Sequence, residues 1–126
     1  MNAVCVDTNC VIAYLAGDAG EDIDFLDKLL ERRAVALAPV VIAELLSDPA
    51  LPREAAKLIG SLPQLALSDD YWQRAGKLRA NLARRGYSAR LADTLIAQSC
   101  LDHKVPLLTR DKGFQRFNKV AGLKLL

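Results

Sequence analysis

Ala3-Val4-Cys5-Val6-Asp7-Thr8-Asn9 decides how this chain is read. The short apolar run from Ala3 to Val6, rich in β-branched residues, reads as a buried strand. Asp7-Thr8-Asn9 stops it with side chains that suit a turn and the start of a helix. A first helix then runs from about Cys10 to Ala16, closed by Gly17. The pattern recurs at Ala34 to Ala38, another short apolar run. Pro39 after it suits the first turn of a helix carrying Val40, Val41, Ile42, Glu44, Leu45 and Leu46. Strand followed by helix, repeated, predicts an α/β domain whose parallel sheet is covered on both faces. Right-handed crossovers in such a sheet bring the strands' carboxyl ends to one edge, where ligands bind.

The remaining segments fit the same alternation. Acidic Glu21, Asp22 and Asp24 precede Leu26, Leu29 and Leu30, and Arg32-Arg33 close the segment, the charge order a helix dipole favours. Pro52 opens another helix, with Gly60 at its end. Leu65 to Leu67 is a strand candidate, and Ser68 is placed to cap the longest helix, whose stripe of Tyr71, Ala75, Leu78 and Leu82 has helical period up to Gly86. Ser88 or Ala89 begins the next helix. Lys104 to Thr109 reads as a strand in which Pro106 marks an edge or a beginning. A helical turn over Lys112 to Phe117 and a strand at Leu123 to Leu126 follow.

At 126 residues the chain suits one domain, spanning 1–126. Its 17 Lys+Arg against 15 Asp+Glu leave a net charge of +2, so any electrostatic argument must come from local patches. Cys5, Cys10 and Cys100 lie among apolar neighbours and read as reduced thiols in a cytoplasmic interior rather than a disulfide framework. A single histidine excludes a His-rich zinc site. The longest apolar run, Ala34 to Ala43, is far short of the roughly 20 residues that span a bilayer, and no signal-peptide pattern opens the chain, so neither secretion nor a membrane is expected.

Chemistry is carried by acids that interrupt apolar segments. Asp7 follows the first strand and Asp111 follows the strand ending at Leu108-Thr109, which places both near one edge. Glu44 sits in the otherwise apolar run Val40 to Leu46. Asp93 lies in the first turns of its helix within Leu91-Ala92-Asp93-Thr94-Leu95-Ile96. Each has a plain reading: a helix cap for Asp7, a solvated helix residue for Glu44, a dipole partner for Asp93 and a turn residue for Asp111. Together they describe a carboxylate cluster, and carboxylates gathered in a poorly solvated cleft must take up protons or a cation. All-oxygen ligands favour Mg²⁺ or Mn²⁺, and such a site can activate water for phosphodiester hydrolysis. No side chain offers itself as a covalent nucleophile.

Asp7-Thr8-Asn9, Glu44, Asp93-Thr94-Leu95-Ile96-Ala97 and Thr109-Arg110-Asp111 followed by Phe114 resemble, in order and across the whole chain, the PIN-domain ribonucleases. The small size is similar to VapC-type toxins of toxin–antitoxin pairs. The resemblance implies a flavodoxin-like central parallel sheet of about five strands and Mg²⁺- or Mn²⁺-dependent endoribonuclease activity. It also implies a homodimer and inhibition by a cognate antitoxin protein. Asp7 and Asp93 would be the principal metal ligands. Glu44 and Asp111 would add charge, place further waters and hold a second ion. Asn9 and Thr109 would support the site from its rim, although Asn9 is equally well read as a helix N-cap. Many relatives carry a second acid where this chain has Gly113.

From Tyr71 to Ala92 there are six basic residues and no acid. Arg74, Lys77, Arg84 and Arg85 share an arc of roughly 100° beside the apolar stripe. This face suits the backbone of an RNA substrate, with Arg84 and Arg85 as the contacts singled out, and equally suits plain solvation or an antitoxin surface. Tyr71, Phe114 and Phe117 read as packing residues, and His103 as a cation near a helix end. Three rival functions remain. A PIN nuclease could process RNA without being a toxin, and a degenerate domain could bind RNA or protein without cutting. An aspartyl-phosphate phosphatase using Asp7 would want a second Asp where Asn9 stands.

Overall fold

The structure, a computed structural model, describes residues 2–126. Val4–Val6 forms the central strand β1, wholly buried. Thr8–Leu15 (α1) and Glu21–Glu31 (α2) follow, then Val35–Ala36 (β2). Helices Pro39–Leu46 (α3), Arg53–Ser61 (α4), Tyr71–Arg84 (α5) and Leu91–His103 (α6) lead to Leu107–Leu108 (β3). A 3₁₀ turn at Lys112–Phe114 runs into Gln115–Ala121 (α7).

The sheet is parallel, in the order β2-β1-β3. Val4 pairs with Val35 and Cys5 with Ala36 on one side, and Cys5 with Leu107 and Val6 with Leu108 on the other. Three regular strands stand where about five are expected. The outer two are reduced to single parallel bridges, Leu37 with Gln64 and Leu107 with Leu125. Pro63 is the reason on the first side: its carbonyl accepts from Leu37 N (2.9 Å), but a proline has no N–H with which to extend a ladder. On the other side Leu107 N donates to Lys124 O (2.9 Å) and Leu126 N to Leu107 O (3.0 Å).

Helix starts differ from the expected ones by a few residues. Asp7 caps α1 by accepting from Thr8 N (2.8 Å), so Asn9 lies inside the helix and is not its cap. Ser68 does not cap α5, which begins at Tyr71, because its hydroxyl is spent on Asp70 and Arg74. The helix expected from Ser88 or Ala89 begins at Leu91.

β1 and Leu37 are buried, and Ile59, Leu82, Ile96, Leu107, Phe114, Phe117 and Leu123 close around them, so Phe114 and Phe117 are core residues. α6 is buried without interruption from Thr94 to Cys100 because α5, α3 and the sheet all close on it. Tyr71, 2% exposed, packs with Ala75 and Leu95 in a smaller cluster between α5 and α6. The three cysteines are buried and unpaired. No helix among the described residues is long and apolar enough to cross a membrane.

Candidate functional site

Each strand or helix that opens at the carboxyl edge of the sheet delivers one acid there. Asp7 leaves β1, Asp111 lies just beyond β3, Glu44 comes from α3 and Asp93 from the first turn of α6. All four line one cavity of about 250 Å³ together with Thr8, Asn9, Ile12, Arg90 and Ala92. The order of elements along the sheet thus brings together residues from both ends of the chain.

Asp7 is the most enclosed of the four, 5% exposed. Its Oδ1 accepts from Thr8 N (2.8 Å), and its Oδ2 accepts from the Thr109 hydroxyl (2.7 Å) across the β1–β3 pairing. Thr109 is therefore beneath the cluster, and its oxygen also accepts from Asp111 N (3.0 Å). Asp111 Oδ1 in turn accepts from Gly113 N (2.8 Å). On the opposite wall Thr8 Oγ1 donates to Glu44 Oε1 (2.7 Å). Every acid except Asp93 is thus oriented by a hydroxyl or amide of its own neighbourhood. Asn9 stays at the rim, its Oδ1 at 3.5 Å from Arg110 N. Arg110 turns away, pairing with Asp22 (2.5 Å) and Asp18 (3.3 Å) to fasten the α1–α2 connection.

Asp93 faces a cation. Arg90, the residue before α6, lies 3.5 Å from Asp93 Oδ2 and 3.7 Å from Asp111 Oδ2. Arg90 and Thr8 are parts of the site that the sequence did not single out as such. An arginine or threonine beside a helix start is ordinary in isolation, and only the tertiary placement distinguishes these two.

Burial pushes the Asp7 carboxyl above the usual carboxylate range. The Thr109 and Thr8 hydrogen bonds oppose the rise, and the charges of Asp93 and Glu44 add to it. Asp93 is raised as well, first by burial, with Arg90 pulling against Asp111 and Glu44. These are the strains expected of carboxylates assembled for a positive guest. Among the described residues no group of three acidic, histidine or cysteine side chains is arranged to enclose a bare ion. An open, all-oxygen set around a cavity with room for several waters is what a hard divalent ion that keeps part of its hydration shell would accept. The residues therefore fit such an ion through one or two carboxylates and water, not through a closed cage. Cys10, whose thiol burial pushes up to about 11, is no candidate nucleophile.

The basic face is smaller than its residue count suggests. Arg74 is held by Asp70 (3.0 Å) and by both oxygens of Asp102, and Arg79 Nε donates to Ala89 O (2.8 Å). Arg84 and Arg85 are exposed at the end of α5 and are not among the residues lining the carboxylate cavity. His103 Nε2 lies 2.7 Å from Ala66 O, and Tyr71 donates to Leu95 O (2.5 Å), so both are structural.

Solved structures similar to this chain include a member of the VapBC family of toxin–antitoxin systems from Mycobacterium tuberculosis and a toxin–antitoxin complex from Klebsiella pneumoniae. The chain is similar to VapBC2 from Rickettsia felis bound to promoter DNA, with 20% identity over 98% of this chain and 97% of that one and a TM-score of 0.76. It is similar to DNA-bound VapBC from Salmonella typhimurium, with 20% identity over 100% and 98% and a TM-score of 0.75. FitAcB from Neisseria gonorrhoeae gives 21% identity over 98% and 96% and a TM-score of 0.69. At these identities the likeness speaks for the fold. No curated protein sequence matches. The PIN domain family model matches residues 4–120, from β1 into the last helix and past all four acids, and the chain belongs to the PIN domain family.

Proposed function

We propose that this protein is a divalent-metal-dependent endoribonuclease that hydrolyses RNA phosphodiester bonds. The observation that carries the reading is the single cavity lined by Asp7, Glu44, Asp93 and Asp111. A pure phosphate binder would gain nothing from four gathered negative charges, whereas a nuclease needs them to hold a cation against a polyanion.

Asp7 and Asp93, the two carboxyls with raised affinity for a proton, would hold Mg²⁺ or Mn²⁺, with Glu44 and Asp111 contributing through water. When bound, such an ion supplies Lewis acidity toward the phosphoryl oxygens and makes water a better nucleophile at neutral pH. The chain supplies orientation. Thr109 and Thr8 N fix both oxygens of Asp7, so this carboxylate cannot rotate away. Glu44, held through one oxygen by Thr8, keeps its second for a water, and can take the proton that water sheds as it attacks phosphorus, while the bond from phosphorus to the leaving sugar oxygen breaks and that oxygen takes a proton from solvent. Arg84 and Arg85 are proposed contacts to the RNA backbone beyond the cleft.

The structural neighbours favour a toxin over a housekeeping RNA-processing nuclease, since the similar complexes are VapBC and FitAcB pairs. We therefore assign the chain the toxin's part, acting as a homodimer in the cytoplasm and silenced by a cognate antitoxin protein.

The test compares wild type with Asp7→Asn and Asp93→Asn on a panel of structured RNAs with Mg²⁺, Mn²⁺ or chelator. Metal-dependent cuts lost in both variants, with thermal unfolding still cooperative, are expected. An Asp7→Asn variant that cuts as wild type does would remove the assignment, and intact RNA under every condition would favour the binding-only domain.

A further inference from the structure

Arg90 is a partition between two cavities. On one side lies the carboxylate cavity. On the other is a second space of about 230 Å³, lined by Ser88, Ala89, Arg90, Asp93, Asp111, Gly113, Arg116 and Phe117, with room for roughly eight waters. The two cavities share Arg90, Asp93 and Asp111 and differ in what closes them. The first is closed by Asp7 and Glu44, the second by the guanidinium of Arg116 and the residues of the Ser88 loop.

Three features suit the second cavity to an oxyanion. Arg116 makes no ion pair within 4 Å among the described residues, although it is half-buried in α7. Arg90 is poorly satisfied by the acids: at 3.5 and 3.7 Å its pairs exceed ordinary charge-assisted hydrogen bonds, and its side chain is 81% exposed. Gly113 keeps the space open, because a methyl group there would stand 2.9 Å from Asp111 Oδ1 and 3.5 Å from Arg116 Nη2. Once a cation neutralises Asp93 and Asp111, both guanidinia face this cavity without a countercharge.

We infer that the Arg90–Arg116 cavity is a subsite for an RNA phosphate next to the scissile one, so that the strand is held on both sides of the Arg90 partition. This rests on the nuclease reading above and adds to it one direction in which the strand leaves the carboxylates, past Arg90 toward α7. Arg116 is a binding residue here, and Arg90 belongs to both cavities.

The experiment measures binding of a labelled eight-nucleotide RNA with non-hydrolysable phosphorothioate linkages, at a fixed saturating Mg²⁺ concentration and over a range of KCl, for wild type, Arg116→Gln and Arg116→Lys. Cleavage of the unmodified RNA of the same sequence in Mg²⁺ is followed in parallel. Losing one phosphate contact should flatten the dependence of log Kd on log salt by about 0.7. The loss of affinity between 50 and 200 mM KCl should then be smaller by about 2.5-fold for Arg116→Gln, while Arg116→Lys retains most of the wild-type slope. A structural role for Arg116 would lower the thermal midpoint without changing the slope, and that result overturns the inference. So does wild-type binding by Arg116→Gln. If wild type cuts in Mg²⁺ and Arg116→Gln binds normally, only the subsite falls. If the slope depends on Arg116 and no condition yields cuts, the subsite stands and the nuclease reading falls.

Discussion

Thr109 does more with one hydroxyl than any other uncharged residue of the site. It donates to Asp7 Oδ2 and accepts from Asp111 N, so a single oxygen sets the positions of two acids from the two ends of the chain. Thr109→Val keeps the shape and removes both bonds. It should cost about 1–3 kcal/mol in urea denaturation, because a carboxylate oxygen and an amide are left unpaired. It should also raise the Asp7 carboxyl further, since the bond that favours the ionised form is gone. The acid limb of the pH–rate profile would then move to higher pH, and Thr109→Ser would restore it. Thr109 stands out in the sequence only by lying two residues before Asp111, and its grip on Asp7 spans 102 residues. The acids were legible because Glu44 and Asp93 break apolar runs where a helix has no surface reason to carry charge. Arg74 misled for the opposite cause. Its charge counted toward a basic face until Asp70 and Asp102 were found beside it.

Among the elements, α6 matters most because it carries Asp93 into the site while buried over most of its length. Its depth is set largely by α5. Tyr71 reaches across to donate to Leu95 O (2.5 Å) and to receive the Ser99 hydroxyl (3.1 Å), a buried link between the two helices. Tyr71→Phe leaves the Ser99 hydroxyl without its partner and takes the second bond from Leu95 O, whose helical bond remains, and should lower stability by about 1–2 kcal/mol, read by chemical denaturation. No loss would mean that the Ser99 hydroxyl finds water or turns back to Leu95 O. The helical period of Tyr71, Ala75, Leu78 and Leu82 was plain in the sequence, as was the strand–helix alternation around β1 and β2. The outer strands were not, because a single bridge leaves no periodicity to read. The helix start at Tyr71 was displaced from Ser68 because that serine is engaged elsewhere. Whether a serine caps a helix depends on which partner its hydroxyl finds in space, and Ser68 finds Arg74.

Taken as one body, the protein gathers its negative charge at one edge and does so at a cost. Asp7 and Asp93 both have folded-state affinities for protons above those of an unfolded chain. Between the ordinary carboxylate range and the raised values, the folded state keeps protons that the unfolded chain has released. The stability these two groups contribute is therefore greatest below that range and is lost as pH climbs through the raised values. In chelator the thermal midpoint should fall over this window relative to an Asp7→Asn/Asp93→Asn double variant. Saturating Mg²⁺ should lift the wild type at neutral pH and leave the variant unmoved. A difference between the two that does not change with pH would contradict the charge account. The pairing of β1 with β3 has a consequence for biosynthesis. A chain growing on the ribosome presents Asp7 and Glu44 early, but its first strand lacks one flank until Leu107-Leu108 emerges, and Asp111 arrives later still. The carboxylate edge is thus among the last parts to be assembled, and if the proposed nuclease activity holds, an unfinished polypeptide carries no complete cluster with which to attack the message that encodes it.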